Sequence, residues 1–135
     1  MALILWNDRF SVGVPSLDIQ HRQLVEMVNE LHAALAAGRG EPVIRELLDR
    51  LGRYAETHLE SEEQMLRAHD YPDFAAHKAQ HEEYLARVCE LQSRAGHGQV
   101  AMVISLLAFF KDWWTSHILH ADKAYSDYLR ARRAA

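Results

Sequence analysis

Four apolar stripes, each repeating at intervals of three and four residues, run through this 135-residue chain, and no stretch alternates with a period of two. Leu24, Val25, Val28, Leu31 and Leu35 make the first; Ile44, Leu47, Leu48, Leu51, Tyr54, Ala55, Leu59, Met65 and Leu66 make the second. Phe74, Tyr84, Leu85, Val88 and Leu91 form the third, and Val100, Val103, Leu107, Phe110 and Trp114 the fourth. Residues so spaced share one helix face, so each stripe is the buried side of an amphipathic helix. The pattern predicts helices over about 18–37, 42–68, 73–94 and 99–117. Joined by short connections, they make an all-α, antiparallel up-down four-helix bundle, one domain over residues 1–135.

The connections carry their own signals. Residues 1–17 read as an N-terminal arm in which Gly13 and Pro15 interrupt any helix, while Trp6, Phe10, Val12 and Val14 are available for packing. Ser16 or Asp18 offers a helix N-cap, and Gly38-Arg39-Gly40 ends the first helix. Pro42 and Pro72 suit the starts of the second and third helices, and Gly96 with Gly98 marks the last turn. One detail resists the simple bundle. Run unbroken to residue 130, the last helix would be about 46 Å long against about 30 Å for the others, so a bend or break is expected soon after His117.

A net charge of −4 argues against nucleic acid, whose binders need a basic surface; the one basic cluster, Arg130, Arg132 and Arg133, reads as a solvated tail. The single cysteine, Cys89, excludes an intrachain disulfide and a thiolate metal site, and reads as a small apolar residue at a helix edge. The opening MALILWNDRF lacks the basic n-region, long h-region and cleavage site of a signal peptide. No apolar segment approaches the roughly 20 residues that span a bilayer. A cytoplasmic protein without membrane insertion is expected.

Every stripe is interrupted by ionisable residues. The first carries His21, the second His58 and Glu62, the third His77 and His81, and the fourth His117, with Asp122 five residues on. The i,i+4 pairs His58/Glu62 and His77/His81 each aim two donor atoms at one point. Buried carboxylates are rare unless paired or metal-bound, and seven polar groups on four inward faces would cost more desolvation than their hydrogen bonds return. Imidazole and carboxylate without thiolate suit iron, manganese, copper or zinc. Seven ligands exceed what one ion accepts, and two octahedral ions with bridging carboxylates and a bridging oxide or hydroxide leave one position open. That count favours iron over four-coordinate zinc and provides a place for dioxygen. His117 and Asp122 are the exception to helical spacing. Five residues turn an α-helix through about 500°, which leaves the two about 140° apart, so the helix must be overwound, bulged or ended between them.

His21, the His58/Glu62 pair, Tyr71-Pro72, the His77/His81 pair and the His117/Asp122 pair, in this order and at these separations, resemble the hemerythrin family, in particular its bacterial single-domain branch. The resemblance extends to Trp6, Asp18, Gln20, Glu63, Met65 and Trp113. It implies a non-haem di-iron centre with an oxide or hydroxide bridge, in which His77, His81 and His117 fill one iron. His21 and His58 would bind the second iron, Glu62 and Asp122 would bridge the pair, and dioxygen would bind reversibly on the second. Val25, Trp113, Trp114 and Ile118 are placed to line the oxygen pocket.

Two residues depart from that family's pattern. Trp114 stands three before His117, where the family typically has leucine, and could narrow access or offer its indole N–H to the ligand. His120 lies between His117 and Asp122, where no histidine is expected, and reads as solvent-facing or hydrogen-bonded, with a supporting group behind the ligands or a stray ligand as the alternative; His32, His69 and His97 read as surface or helix-end residues. The leading expectation is an oxygen carrier, store or supplier rather than an enzyme. The rivals are a di-iron peroxidase or oxidase, and an oxygen, redox or iron sensor, which would need an output domain for which this chain has no room.

Overall fold

A computed structural model of the chain describes residues 3–95 and 100–134, apart from the side chains of residues 41, 91–92, 94–95, 100–102 and 133–134. The turn expected at Gly96 and Gly98, with His97, lies outside the described residues.

The first stripe folds as α1, Pro15–Ala36, which begins earlier than the expected residue 18. Pro15 opens the helix rather than interrupting it: a first-turn N–H has no intrahelical partner, so its loss costs nothing, and the ring fixes a helical φ. Extended Val14 precedes it, and neither Ser16 nor Asp18 caps it. Asp18 faces the arm instead. Its Oδ2 accepts from the Ser11 hydroxyl at 2.6 Å and its Oδ1 from the Val12 N–H at 2.7 Å. Asn29, farther along α1, exchanges two hydrogen bonds of 2.8 Å with the backbone of Ile4. The arm, with a short 3-10 turn at Asp8–Phe10, is thus pinned along the helix it precedes.

The second stripe forms α2, Glu41–Ala68, and the third α3, Phe74–Ala95. Between them Asp70 takes a left-handed φ of 53° and the Tyr71 N–H returns to the Leu66 carbonyl at 3.0 Å. Pro72 belongs to this turn rather than to the start of α3. The fourth stripe forms α4, Val100–His117. The chain does not break after His117. It continues through one π-helical turn, Ile118–Asp122, into α5, Lys123–Ala134, with helical backbone angles at both junctions.

Helix α1 packs on α2 and α4, and α3 on the same two, so four helices close a ring. No strand occurs among the described residues. Arg130 and Arg132 of the basic C-terminal run are exposed to solvent, and the Arg132 guanidinium also donates to the His69 carbonyl and the Tyr128 hydroxyl, which ties α5 to the end of α2. Cys89 is exposed on α3, so it is not an apolar edge residue. No helix is long and apolar enough to cross a membrane among the described residues.

The apolar residues do not form one continuous core. A larger cluster includes Leu24, Leu51, Phe110 and Trp114, and a smaller one comprises Val12, Leu17, Leu66, Tyr71, Tyr125 and Leu129. On α1 the order is Leu17, His21, Leu24; on α2 it is Ala55, His58 and Glu62, Leu66. Each element follows the same sequence of cluster, polar residue, cluster, so the bundle carries a polar belt between two apolar blocks.

Candidate metal centre

The belt consists of His21, His58, Glu62, His77, His81, His117 and Asp122, each at most 4% exposed. Their sequence positions explain the convergence: i,i+4 pairs on α2 and α3 aim inward together, and α1 and α4 each bring one histidine to the same level. Asp122 joins them through the π turn. A turn that bonds i to i+5 holds more residues than the α-helix, so the fifth residue after His117 returns to the face an α-helix would give the fourth.

The carboxylates divide the histidines into two groups. Glu62 Oε1 lies 2.7 Å from His77 Nε2, 3.1 Å from His81 Nε2 and 3.9 Å from His117 Nε2. Its other oxygen, Oε2, lies 3.4 Å from His21 Nε2 and 3.5 Å from His58 Nε2. Asp122 repeats the division, with Oδ1 at 3.2 Å from His77 and 3.0 Å from His117, and Oδ2 at 3.2 Å from His21. Two sets of donor atoms able to hold a cation follow: Glu62 with His77, His81 and His117, and Glu62 with His21 and His58.

Which nitrogen faces the centre is fixed from outside. His58 Nδ1 donates to Gln20 Oε1 at 2.6 Å, His81 Nδ1 to Glu63 Oε2 at 2.9 Å, and His117 Nδ1 to Gln80 Oε1 at 3.0 Å. With Nδ1 carrying the proton, Nε2 presents a lone pair inward. Yet His81 Nε2 and His117 Nε2 stand only 3.1 Å apart. Two lone pairs at that distance repel unless a proton or a cation lies between them.

The electrostatics tell the same story. Burial opposes charge on His21 and His77, but the neighbouring Asp122 and Glu62 carboxylates prevail and push their pKa values up to about 10 and about 9. His117 is raised against burial in the same way. His58 goes the other way, lowered to about 4 chiefly by burial. Burial alone would favour neutral carboxyls, yet the surrounding histidines hold both Glu62 and Asp122 below the usual carboxylate range. Without a metal the site therefore gathers protons to balance its two anions. Even so, His21 Nδ1 and Nε2, His58 Nε2 and both oxygens of Asp122 are buried without a hydrogen-bond partner. Such groups are costly unless something else satisfies them.

Residues 12–129 match the family described as Hemerythrin HHE cation binding domain. The chain belongs to the hemerythrin family. It is similar to the bacteriohemerythrin of Methylococcus capsulatus, 35% identical over 97% of this chain and 100% of that one. That of Stenotrophomonas maltophilia is 34% identical over 97% of this chain and 84% of its own length. A crystal structure of wild-type hemerythrin superposes with a TM-score of 0.84 at 36% identity, covering 93% of this chain and 97% of that one.

Around this hemerythrin centre the four residues expected to line a pocket are divided. Val25, Trp114 and Ile118 are buried in the larger apolar cluster, and the Trp114 ring lies 5.7 Å from that of His58. Half-buried Trp113 instead stacks flat on His117, rings 4.3 Å apart and 13° from parallel. The Trp114 indole N–H donates to the Tyr84 hydroxyl at 3.0 Å, which removes it as a donor to any ligand beside His58. His120 and His69 are exposed, whereas His32 is half-buried, with its Nδ1 buried and unpartnered.

Sequence reading missed two contributors. Buried Tyr125 donates its hydroxyl to Glu62 Oε2 at 3.0 Å, and Gln80 orients His117. A signal for the second was present: Gln20, Glu63 and Gln80 each adjoin a belt residue in sequence and serve the histidine of another helix. Tyr125 gives no comparable signal, being one more aromatic on an apolar face.

Proposed function

We propose that this chain binds dioxygen reversibly at two non-haem iron ions and acts as a carrier, store or supplier of oxygen in the cytoplasm. His77, His81 and His117 would hold one ion and His21 and His58 the other, with Glu62 and Asp122 shared between them. The observation that carries this reading is the division of each carboxylate, one oxygen toward each histidine group. The partnerless Nε2 atoms of His21 and His58, the two Asp122 oxygens and the facing Nε2 pair fit the same assignment, since cations would satisfy them. Three histidines against two leaves the second position with fewer protein donors, and hence room for a small ligand.

When bound, the iron pair supplies the electrons and the open position that dioxygen needs. The chain supplies everything else. Gln20, Glu63 and Gln80 fix the tautomers of His58, His81 and His117. Tyr125 donates to Glu62 and steadies the shared carboxylate. Trp114, with Val25 and Ile118, keeps water from the His58 side, where water and protons would promote irreversible oxidation.

Reversibility is the test. Reduced, iron-loaded protein should gain a visible absorption band in air and lose it on purging with inert gas; steady accumulation of oxidised protein with consumption of a co-substrate would instead mark an enzyme. The ligand assignment has its own check. Glu62→Ala should lower bound iron below two per chain by metal analysis, and full occupancy with an unchanged spectrum would overturn it.

A further inference from the structure

The belt is buried, but not evenly. His21, Glu62, His81 and Asp122 are 0% exposed, whereas His77 and His117 each reach 4%, and His117 also lines an open surface cleft of about 400 Å³. The rest of that cleft is formed by Gln80, Trp113, Ser116, His120 and Ala121. Gln80, Ser116 and His120 are exposed, and Gln80 is held to His117 Nδ1 by a hydrogen bond of 3.0 Å. His120, which the dioxygen chemistry leaves without a task, stands one turn from His117 in this same cleft, within the π turn.

A divalent ion entering a dry site must exchange its waters for protein donors one at a time, and imidazole is a good donor to first-row metals. We propose that this cleft is the port through which metal ions reach and leave the centre, with His120 as their first, transient ligand, from which an ion passes beside His117 to that ring's inward Nε2. The proposal rests on the reading that the centre holds two metal ions. A port speeds exchange in both directions alike and leaves the equilibrium alone; a structural residue or a permanent ligand would shift occupancy.

The test uses the full chain stripped by a chelator and then mixed with Co(II), with uptake followed by its visible absorption and release followed after adding excess chelator. His120→Ala should slow uptake and release by the same factor, about tenfold, equivalent to about 1.4 kcal/mol on the barrier. Its final occupancy should equal that of the wild type. Ser116→Trp, a bulky group at an exposed cleft position, should slow both rates likewise. If both variants exchange metal at the wild-type rate, or if His120→Ala changes final occupancy, the port is overturned. If the wild type itself takes up fewer than two ions, the two-ion reading fails first.

Discussion

Glu62 shows how much one side chain can be asked to do. It is fully buried, faces all five histidines of the belt and accepts from Tyr125, so its charge sets the protonation of its neighbours. That has a consequence for pH. His21 and His77, raised from 6.5 to about 10 and about 9, hold protons that stabilise the iron-free fold below pH 6.5, and that contribution is lost as the pH rises through 9 and 10. His58, lowered to about 4, acts oppositely and costs stability as the pH falls below 6.5. Iron-free protein should therefore melt highest near pH 6.5 and progressively lower toward pH 10, while the melting temperature of metal-loaded protein, whose metal replaces those protons, changes less. Thermal melts of both forms across pH 5–10 would check this. Trp114 gives a second residue-scale prediction. Trp114→Leu removes a 1% exposed ring and leaves the Tyr84 hydroxyl without its donor, at a cost of about 2–4 kcal/mol in denaturant unfolding. It also opens space beside His58, so the air-induced band should decay faster to the oxidised form.

At the scale of the element, the π turn decides whether Asp122 belongs to the centre at all. Deleting Ala121 should convert Ile118–Asp122 to regular α-helix and leave the aspartate four residues after His117, about 40° away; metal content should survive. Inserting one alanine after His120 should instead rotate Asp122, Tyr125 and Leu129 off the buried face, and metal content should fall while far-UV circular dichroism stays helical. Equal metal content in the two variants would show that register does not matter. This turn also marks where sequence reading stops. The stripes were enough for four helices and their pairing, because burial of an apolar face is periodic and the period is visible. The spacing of His117 and Asp122 even demanded an irregularity between them, but not which one. Pro15 and Pro72 were misread because proline both opens helices and occupies turns, and the neighbouring carbonyls decide. The contacts of Gln80 and Tyr125 depend on how neighbouring helices face each other, which no single-helix pattern encodes.

Across the whole molecule, the arm, the ring and α5 all converge on the smaller apolar cluster. Val12 comes from the arm, Leu17 from α1, Leu66 from α2, Tyr71 from the α2–α3 turn, and Tyr125 and Leu129 from α5. Asp18 ties down one side of that end and Arg132 the other. The larger cluster is held by α1 to α4 together with Ile4 and Phe10 of the arm and Ile118 of the π turn, and between the helices the belt of polar side chains separates the two. Apolar packing propagates cooperativity only where it is continuous, and here it is interrupted by groups that satisfy one another poorly in the absence of metal. Bound ions would rivet the two blocks together. Native-state hydrogen exchange should then show amides around Leu66, Tyr125 and Leu129 opening independently of those around Leu51 and Phe110 in iron-free protein, and both sets opening together once metal is bound. The ions proposed to bind oxygen would thus also determine whether this chain unfolds in one step or two.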